Sequence, residues 1–181
     1  MRGVSPVGRR GPHAARAQGE RAVGVAILTV SDTRRGADDL SGAVAQRLLE
    51  KAGHVVTARA ASRDSIPTIR RAARTLLRRA DTDAVFVTGG TGVALRDVTP
   101  EALEVLVDKS LPGFGEHFRR RSERQVGAAA WMSRAGAGVA SGRLLVWCPG
   151  STRAVELALR GTLLPELAHV IRLLGRFEKR P

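Results

Sequence analysis

The stretch Asp83-Ala84-Val85-Phe86-Val87-Thr88-Gly89-Gly90-Thr91-Gly92 decides the fold class. Its apolar run shows no polar alternation, which is the pattern of a strand covered on both faces, as in a parallel sheet. The run passes directly into three glycines within five residues. Such a turn tolerates positive φ angles and lets backbone N–H groups approach an anion closely. In open α/β sheets, turns of this kind sit at the carboxyl edge, where ligands bind.

Upstream, Val23 to Val30 is a second uninterrupted apolar run, and it ends in Ser31-Asp32. The segment Gly42 to Ala52 predicts a helix, with Val44, Leu48 and Leu49 on one face and Gly53 as its C-terminal cap. His54 to Ala58 reads as a short strand. Ser65-Ile66-Pro67 opens another helix, carrying Ile69, Ala73, Leu76 and Leu77 at helical spacing. Arg70, Arg71, Arg74, Arg78 and Arg79 fall on its opposite face and read as a solvated stripe.

Downstream, Thr99-Pro100-Glu101 predicts a helix start with Thr99 as N-cap, proline in the first turn and an acid at the positive end. A helix is expected over 117–125, then a strand Leu144 to Cys148 closed by Pro149-Gly150-Ser151. Two closing helices follow over 153–163 and 165–174. Strands alternating with helices of this length predict one three-layer α/β/α domain with a mostly parallel central sheet.

The chain has 181 residues, enough for a single well-buried domain. No apolar run reaches the ~18–20 residues of a membrane-spanning helix. The one cysteine, Cys148, excludes an internal disulfide framework and suits a reducing compartment, so a cytoplasmic location is expected. The net charge of +13 comes almost wholly from 27 arginines. With no tyrosine and few other aromatics for base stacking, nucleic-acid binding is disfavoured and solvated arginines are the default. Residues 1–21, rich in Arg, Gly and Pro, are expected to form a disordered basic arm; 22–176 form the domain and 177–181 a short tail.

Three segments end a strand in small polar residues: Ser31-Asp32-Thr33, Thr88 to Gly92 and Pro149-Gly150-Ser151. Parallel strands bring all three to one edge. The glycine turn is neither a Walker loop, which needs Gly-Lys-Ser/Thr, nor a dinucleotide fingerprint, since Leu95 stands where the third glycine belongs. Asp97 lies just beyond the turn and Asp64 precedes the next helix. Aspartate oxygens are the usual ligands for the divalent cation of phosphoryl chemistry, although each residue alone reads equally as a local cap. His13, His54, His117 and His169 share no metal-ligand spacing. Cys148 reads as a core residue, and Ser31 and Ser151 lack the partners of a hydrolase triad.

Six motifs then carry a resemblance: Ser-Asp-Thr-Arg (31–34), Thr-Gly-Gly-Thr-Gly (88–92), Arg-Asp-Val-Thr-Pro-Glu-Ala (96–102), Pro-Gly-Phe-Gly-Glu (112–116), Ser-Arg-Ala-x-Ala-Gly (133–138) and Pro-Gly-Ser (149–151). In this order they resemble the MogA/MoaB family of molybdenum cofactor biosynthesis, from about Val23 to Leu174. The resemblance implies a fold of the molybdopterin-binding-domain type, assembled as a homotrimer or a dimer of trimers. It implies magnesium-dependent transfer of AMP from ATP to the terminal phosphate of molybdopterin, releasing pyrophosphate. The molybdenum insertion enzyme is an implied partner. A non-catalytic molybdopterin- or nucleotide-binding scaffold is the alternative.

By the same resemblance, Asp97 and Asp64 are the catalytic, magnesium-holding aspartates. Thr88, Gly89, Gly90, Thr91 and Gly92 cradle nucleotide phosphate. Glu116, Ser133 and Arg134 line the pocket, Pro149, Gly150 and Ser151 close its nucleotide side, and Arg96 or Arg134 neutralises phosphate charge.

Overall fold

In the computed structural model, residues 21–32 and 38–177 are described. Most of the expected basic arm, and residues 178–181 of the tail, lie outside them. Thr33 and Arg34 do as well.

The described residues form a six-stranded sheet in the order β2-β1-β3-β6-β5-β4. β1 (Gly24–Val30), β2 (Val55–Ser62), β3 (Ala84–Thr88) and β6 (Arg143–Cys148) are parallel. β5 (Gly136–Ala140) runs antiparallel to β6, and the two-residue β4 (Lys109–Ser110) is antiparallel to β5. The mostly parallel α/β sheet expected from the sequence is present. β1 and β3 are buried at every position, as uninterrupted apolar strands require.

Two apolar layers cover the sheet. On one face Val25, Ile27, Phe86 and Val146 pack beneath α1 (Leu40–Lys51), α5 (Thr152–Ala158) and α6 (Leu167–Leu173). On the other, Ala26, Leu28, Val85 and Val87 meet Ile69, Ala73, Leu76 and Leu77 of α2 (Ile66–Leu77). α1 and α2 therefore lie on opposite faces. The chain reverses direction across the sheet between β1 and β3, and the crevice of an open sheet forms at such a point.

Several local expectations are corrected. The second strand extends to Ser62 because, as an edge strand, it is only half covered and lacks a continuous apolar signature. Thr99 is not the cap of α3 (Thr99–Leu103): Val98 takes that place, and the Thr99 hydroxyl instead donates to the Gly89 carbonyl at 2.8 Å. The helix expected over 117–125 begins earlier, as α4 (Pro112–Val126) with proline in its first turn. The first closing helix stops at Ala158 and continues as a wide π-type turn, Leu159–Leu163. The β5–β6 hairpin was not anticipated; it turns through Ser141 and Gly142, both at positive φ (51° and 69°), as a tight hairpin demands.

Candidate active site at the carboxyl edge of the sheet

The loops after β1, β2, β3 and β6 converge on one cavity of about 230 Å³. From β1 come Thr29 to Asp32, from the β2–α2 loop Asp64, from the glycine turn Gly89 and Gly90, from the segment before α3 Arg96 and Asp97, and from the β6 end Gly150. Of the site residues implied by the resemblance, six thus line one hollow: Asp64, Gly89, Gly90, Arg96, Asp97 and Gly150; Ser31 and Asp32, from the first of the three convergent turns, line it too.

The glycines are fixed by what they touch. Gly89 has φ +108° and lies so close to β1 that a Cβ would stand 2.1 Å from the Val30 carbonyl oxygen. Gly90 has φ +62°, with Asp64 and Thr99 against it. A Cβ on Gly92 would meet Asp97 Oδ2 at 2.7 Å. Glycine is required here both for the left-handed backbone and for the approach of the carboxylates.

Every carbonyl of the turn is held. Gly89 O accepts from the Thr99 hydroxyl and Gly90 O from the Thr99 N–H at 2.9 Å. Thr91 O accepts from the Arg134 N–H at 3.0 Å and Gly92 O from Arg134 Nε at 2.9 Å. The donors are treated differently. Gly89 N–H donates to Cys148 O, but among the described residues the N–H groups of Gly90, Thr91 and Gly92 have no protein acceptor. The Thr91 hydroxyl is also buried without a partner. Buried donors without a partner are rare in folded proteins; Thr91 is buried, and Gly90 and Gly92 on either side of it are half-buried.

Arg134 does not line the cavity. Besides Gly92 O, its guanidinium donates to the Asp97 carbonyl and pairs with Glu101, so it is a strut under the turn. Arg96 is the arginine left in the cavity lining. Thr88 lies beneath, donating to Pro149 O at 3.1 Å, and the Ser151 hydroxyl caps α5 by accepting from Ala154 N–H. Ser133 is bound by its carbonyl to Arg119 and by its hydroxyl to Ala135 N–H, and Glu116 is exposed on α4. Neither is brought into the cavity, and Thr91, Gly92, Pro149 and Ser151, close in sequence to its lining residues Gly90 and Gly150, are not among the residues that line it.

Asp32, which the sequence placed at this edge but not among the candidate ligands, has an Oδ1 that accepts from the Asp64 N–H at 3.2 Å. Its place at the end of a buried strand was the available signal. Burial raises the Asp64 carboxyl above its usual range, and the charges of Asp32 and Asp97 push it further up, with Arg96 opposing. Beneath the cavity, Asp39 accepts from the Thr29 hydroxyl (2.9 Å), Ser41 hydroxyl, Gly42 N–H and Arg59. It thereby fixes two cavity-lining side chains. Cys148 is wholly buried, and burial pushes its thiol up to about 12, as expected of a core residue rather than a nucleophile.

Comparison with known proteins points to one family. A family model described as "Probable molybdopterin binding domain" matches residues 26–169. Molybdenum cofactor biosynthesis protein B of Halalkalibacterium halodurans is 46% identical over 158 residues, spanning 87% of this chain and 93% of that protein. The Escherichia coli K12 protein of the same name is 39% identical over 143 residues, 79% of this chain and 84% of its own length. A crystal structure of Molybdenum cofactor biosynthesis protein B superposes with a TM-score of 0.85 at 40% identity, covering 88% of this chain and 99% of that one. The tungsten cofactor synthesizing protein MoaB of Pyrococcus furiosus superposes with a TM-score of 0.76 at 31% identity, over 85% and 98% of the two chains. With a family model over residues 26–169, relatives up to 46% identical and a superposition at TM-score 0.85, the chain belongs to the MogA/MoaB family of molybdenum cofactor biosynthesis proteins.

Proposed function

We propose that this protein transfers AMP from ATP to the terminal phosphate of molybdopterin, giving adenylylated molybdopterin and pyrophosphate. The observation that carries this reading is the division of labour in the glycine turn. Its carbonyls are all held, while three backbone N–H groups and the Thr91 hydroxyl are left as donors. A phosphate group is the ligand such an array suits.

A bare phosphate entering this cavity would meet Asp32, Asp64 and Asp97. A magnesium ion resolves that conflict, and the residues fit one. Among the described residues no group of three or more His, Cys, Asp or Glu is placed to hold a metal alone. Magnesium typically takes one or two carboxylates and completes its shell with substrate phosphate and water. Asp64 and Asp97 would hold it; when bound, it supplies charge neutralisation and polarisation of the α-phosphate.

The chain's own residues do the positioning. The turn N–H groups orient the phosphates, Arg96 offsets their charge, and Pro149-Gly150-Ser151 bounds the nucleotide side. A terminal phosphate oxygen of the pterin attacks the α-phosphorus, and the bond to the bridging oxygen breaks as pyrophosphate leaves. No covalent enzyme intermediate is needed. Under this reading residues 22–176 act as one molybdopterin- and nucleotide-binding domain in the cytoplasm. Exposed Val126, Trp131 and Met132 offer the implied homotrimer an apolar contact.

The test is pyrophosphate release from molybdopterin, ATP and magnesium. Asp97→Asn is expected to fold normally and lose most turnover. Equal turnover by variant and parent would overturn the role of Asp97. Nucleotide binding by the parent without product would make it a non-catalytic scaffold.

A further inference from the structure

A second concave surface lies in the groove between α4 and α5, with Arg153, at one end of it, three residues beyond Gly150 of the first cavity. Arg121, Gln125, Arg153, Leu157 and Arg160 line a cavity of about 510 Å³. Among the described residues, none of these three arginines makes an ion pair or hydrogen bond. This contrasts with Arg59, Arg79, Arg134 and Arg176, each paired with an acid. Glu156 also lines the groove, so three cations face one carboxylate.

Arg121 is seated rather than splayed. Its guanidinium lies on Gly161, where a Cβ would stand 2.8 Å from Nε and 3.4 Å from Nη2. The absence of a side chain at 161 is what admits it, and it brings the charge of Arg121 next to the residue following Arg160. Like charges gathered in excess of their one carboxylate repel, and a bound anion converts that repulsion into attraction. Arg153 and Arg160 are seven residues apart, about 10 Å along a helical axis. That span exceeds what one phosphate bridges and suits several linked anionic groups. Arginine's planar donor fork matches phosphate oxygens, and Leu157 gives the groove an apolar floor.

We propose that the α4–α5 groove is a second anion site, separate from the glycine turn, for a small molecule bearing linked phosphate groups. That chemistry is offered by free pyrophosphate and by the phosphate tail of a nucleotide. The site is independent of the adenylyl-transfer reading, since it shares no residue with the first cavity.

The experiment is calorimetric titration of the full chain with inorganic pyrophosphate in metal-free buffer. The parent is compared with Arg121→Gln/Arg160→Gln and with Arg96→Gln. One class of site, the groove, is expected in the parent without metal, and a second, at the glycine turn, once magnesium is added. The double substitution weakens the groove class by about tenfold or more, and Arg96→Gln weakens only the magnesium-dependent class. Competition by ATP at the groove identifies a nucleotide tail as the ligand, and its absence identifies free pyrophosphate. Unchanged pyrophosphate binding by the double variant overturns the proposal. So does an altered assembly mass, which would make the groove a contact between copies, or loss of RNA binding alone, which would make it a nucleic-acid face.

Discussion

Asp64 Oδ1 occupies the space in which a side chain at residue 90 would begin: a Cβ on Gly90 would stand 2.7 Å from it, and 2.5 Å from Thr99 Oγ1. The glycine turn and the carboxylate are therefore one unit. Gly90→Ala is expected to cost about 1–2 kcal/mol for the left-handed backbone alone, with further loss from displaced Asp64 and Thr99. Urea unfolding measures the stability change, and ATP titration should show weakened binding even where the variant folds.

Asp64→Asn should separate stability from function. The carboxyl is raised by burial and by Asp32 and Asp97, so its charged form is held against its preference. Removing that charge is expected to raise the melting temperature in metal-free buffer while abolishing turnover. A raised carboxyl favours the fold when protonated, so the variant's advantage should be full at neutral pH and fade as pH falls through the Asp64 pKa. Magnesium should narrow the gap by stabilising the parent alone.

Arg134 is a positioning residue rather than a ligand for phosphate. It ties Thr91, Gly92, Asp97 and Glu101 into one body. Arg134→Lys keeps the charge but loses the fork that spans three acceptors, so it should rescue little of the Arg134→Ala defect. The expected signature is a raised KM for ATP with a lowered kcat. Full rescue by lysine would mean that charge, not geometry, is what the site uses.

How far the sequence revealed all this depended on whether local or distant partners set each residue's role. β1, β3 and β6 are central strands, and their uninterrupted apolar runs announced a parallel sheet. β5, Gly-Ala-Gly-Val-Ala, gave no such sign. Its glycines answer to tertiary neighbours: a Cβ on Gly136 would strike the Trp147 indole at 2.5 Å, and one on Gly138 would strike Val107 at 2.4 Å. In the site, the glycine turn and Asp97 are near in sequence and were legible together. Arg134 as a strut was not, because the groups its guanidinium holds lie 33 to 42 residues away.

Cys148 offers a check on the core itself. It is wholly buried and its thiol is pushed up to about 12, so almost no thiolate exists at neutral pH. Iodoacetamide is expected to leave the native protein unmodified and to label it stoichiometrically in denaturant, read by intact mass. Rapid native labelling would mean that the β6 end opens to solvent, contrary to the packing of Thr88 and Pro149 around it.

Asp39 gives the converse pH dependence to Asp64. Burial pushes its carboxyl up, but Gly42 N–H, Arg59, Thr29 and Ser41 together outweigh burial and hold it below its ordinary range. A lowered carboxyl stabilises the fold when ionised. Its contribution is therefore complete above the unfolded pKa, and is lost as pH falls through the lower folded value. Asp39→Asn keeps an acceptor for Gly42 at the N-terminus of α1 but removes the charge facing Arg59. The variant should be less stable than the parent at pH 7, and the difference should shrink steadily below pH ~4. Urea midpoints across that range decide the matter: a difference independent of pH would assign Asp39 a purely steric role. Thr29 and Ser41 line the cavity and both donate to Asp39. The same variant should therefore also weaken nucleotide binding at pH 7, linking the buried acid to the site above it.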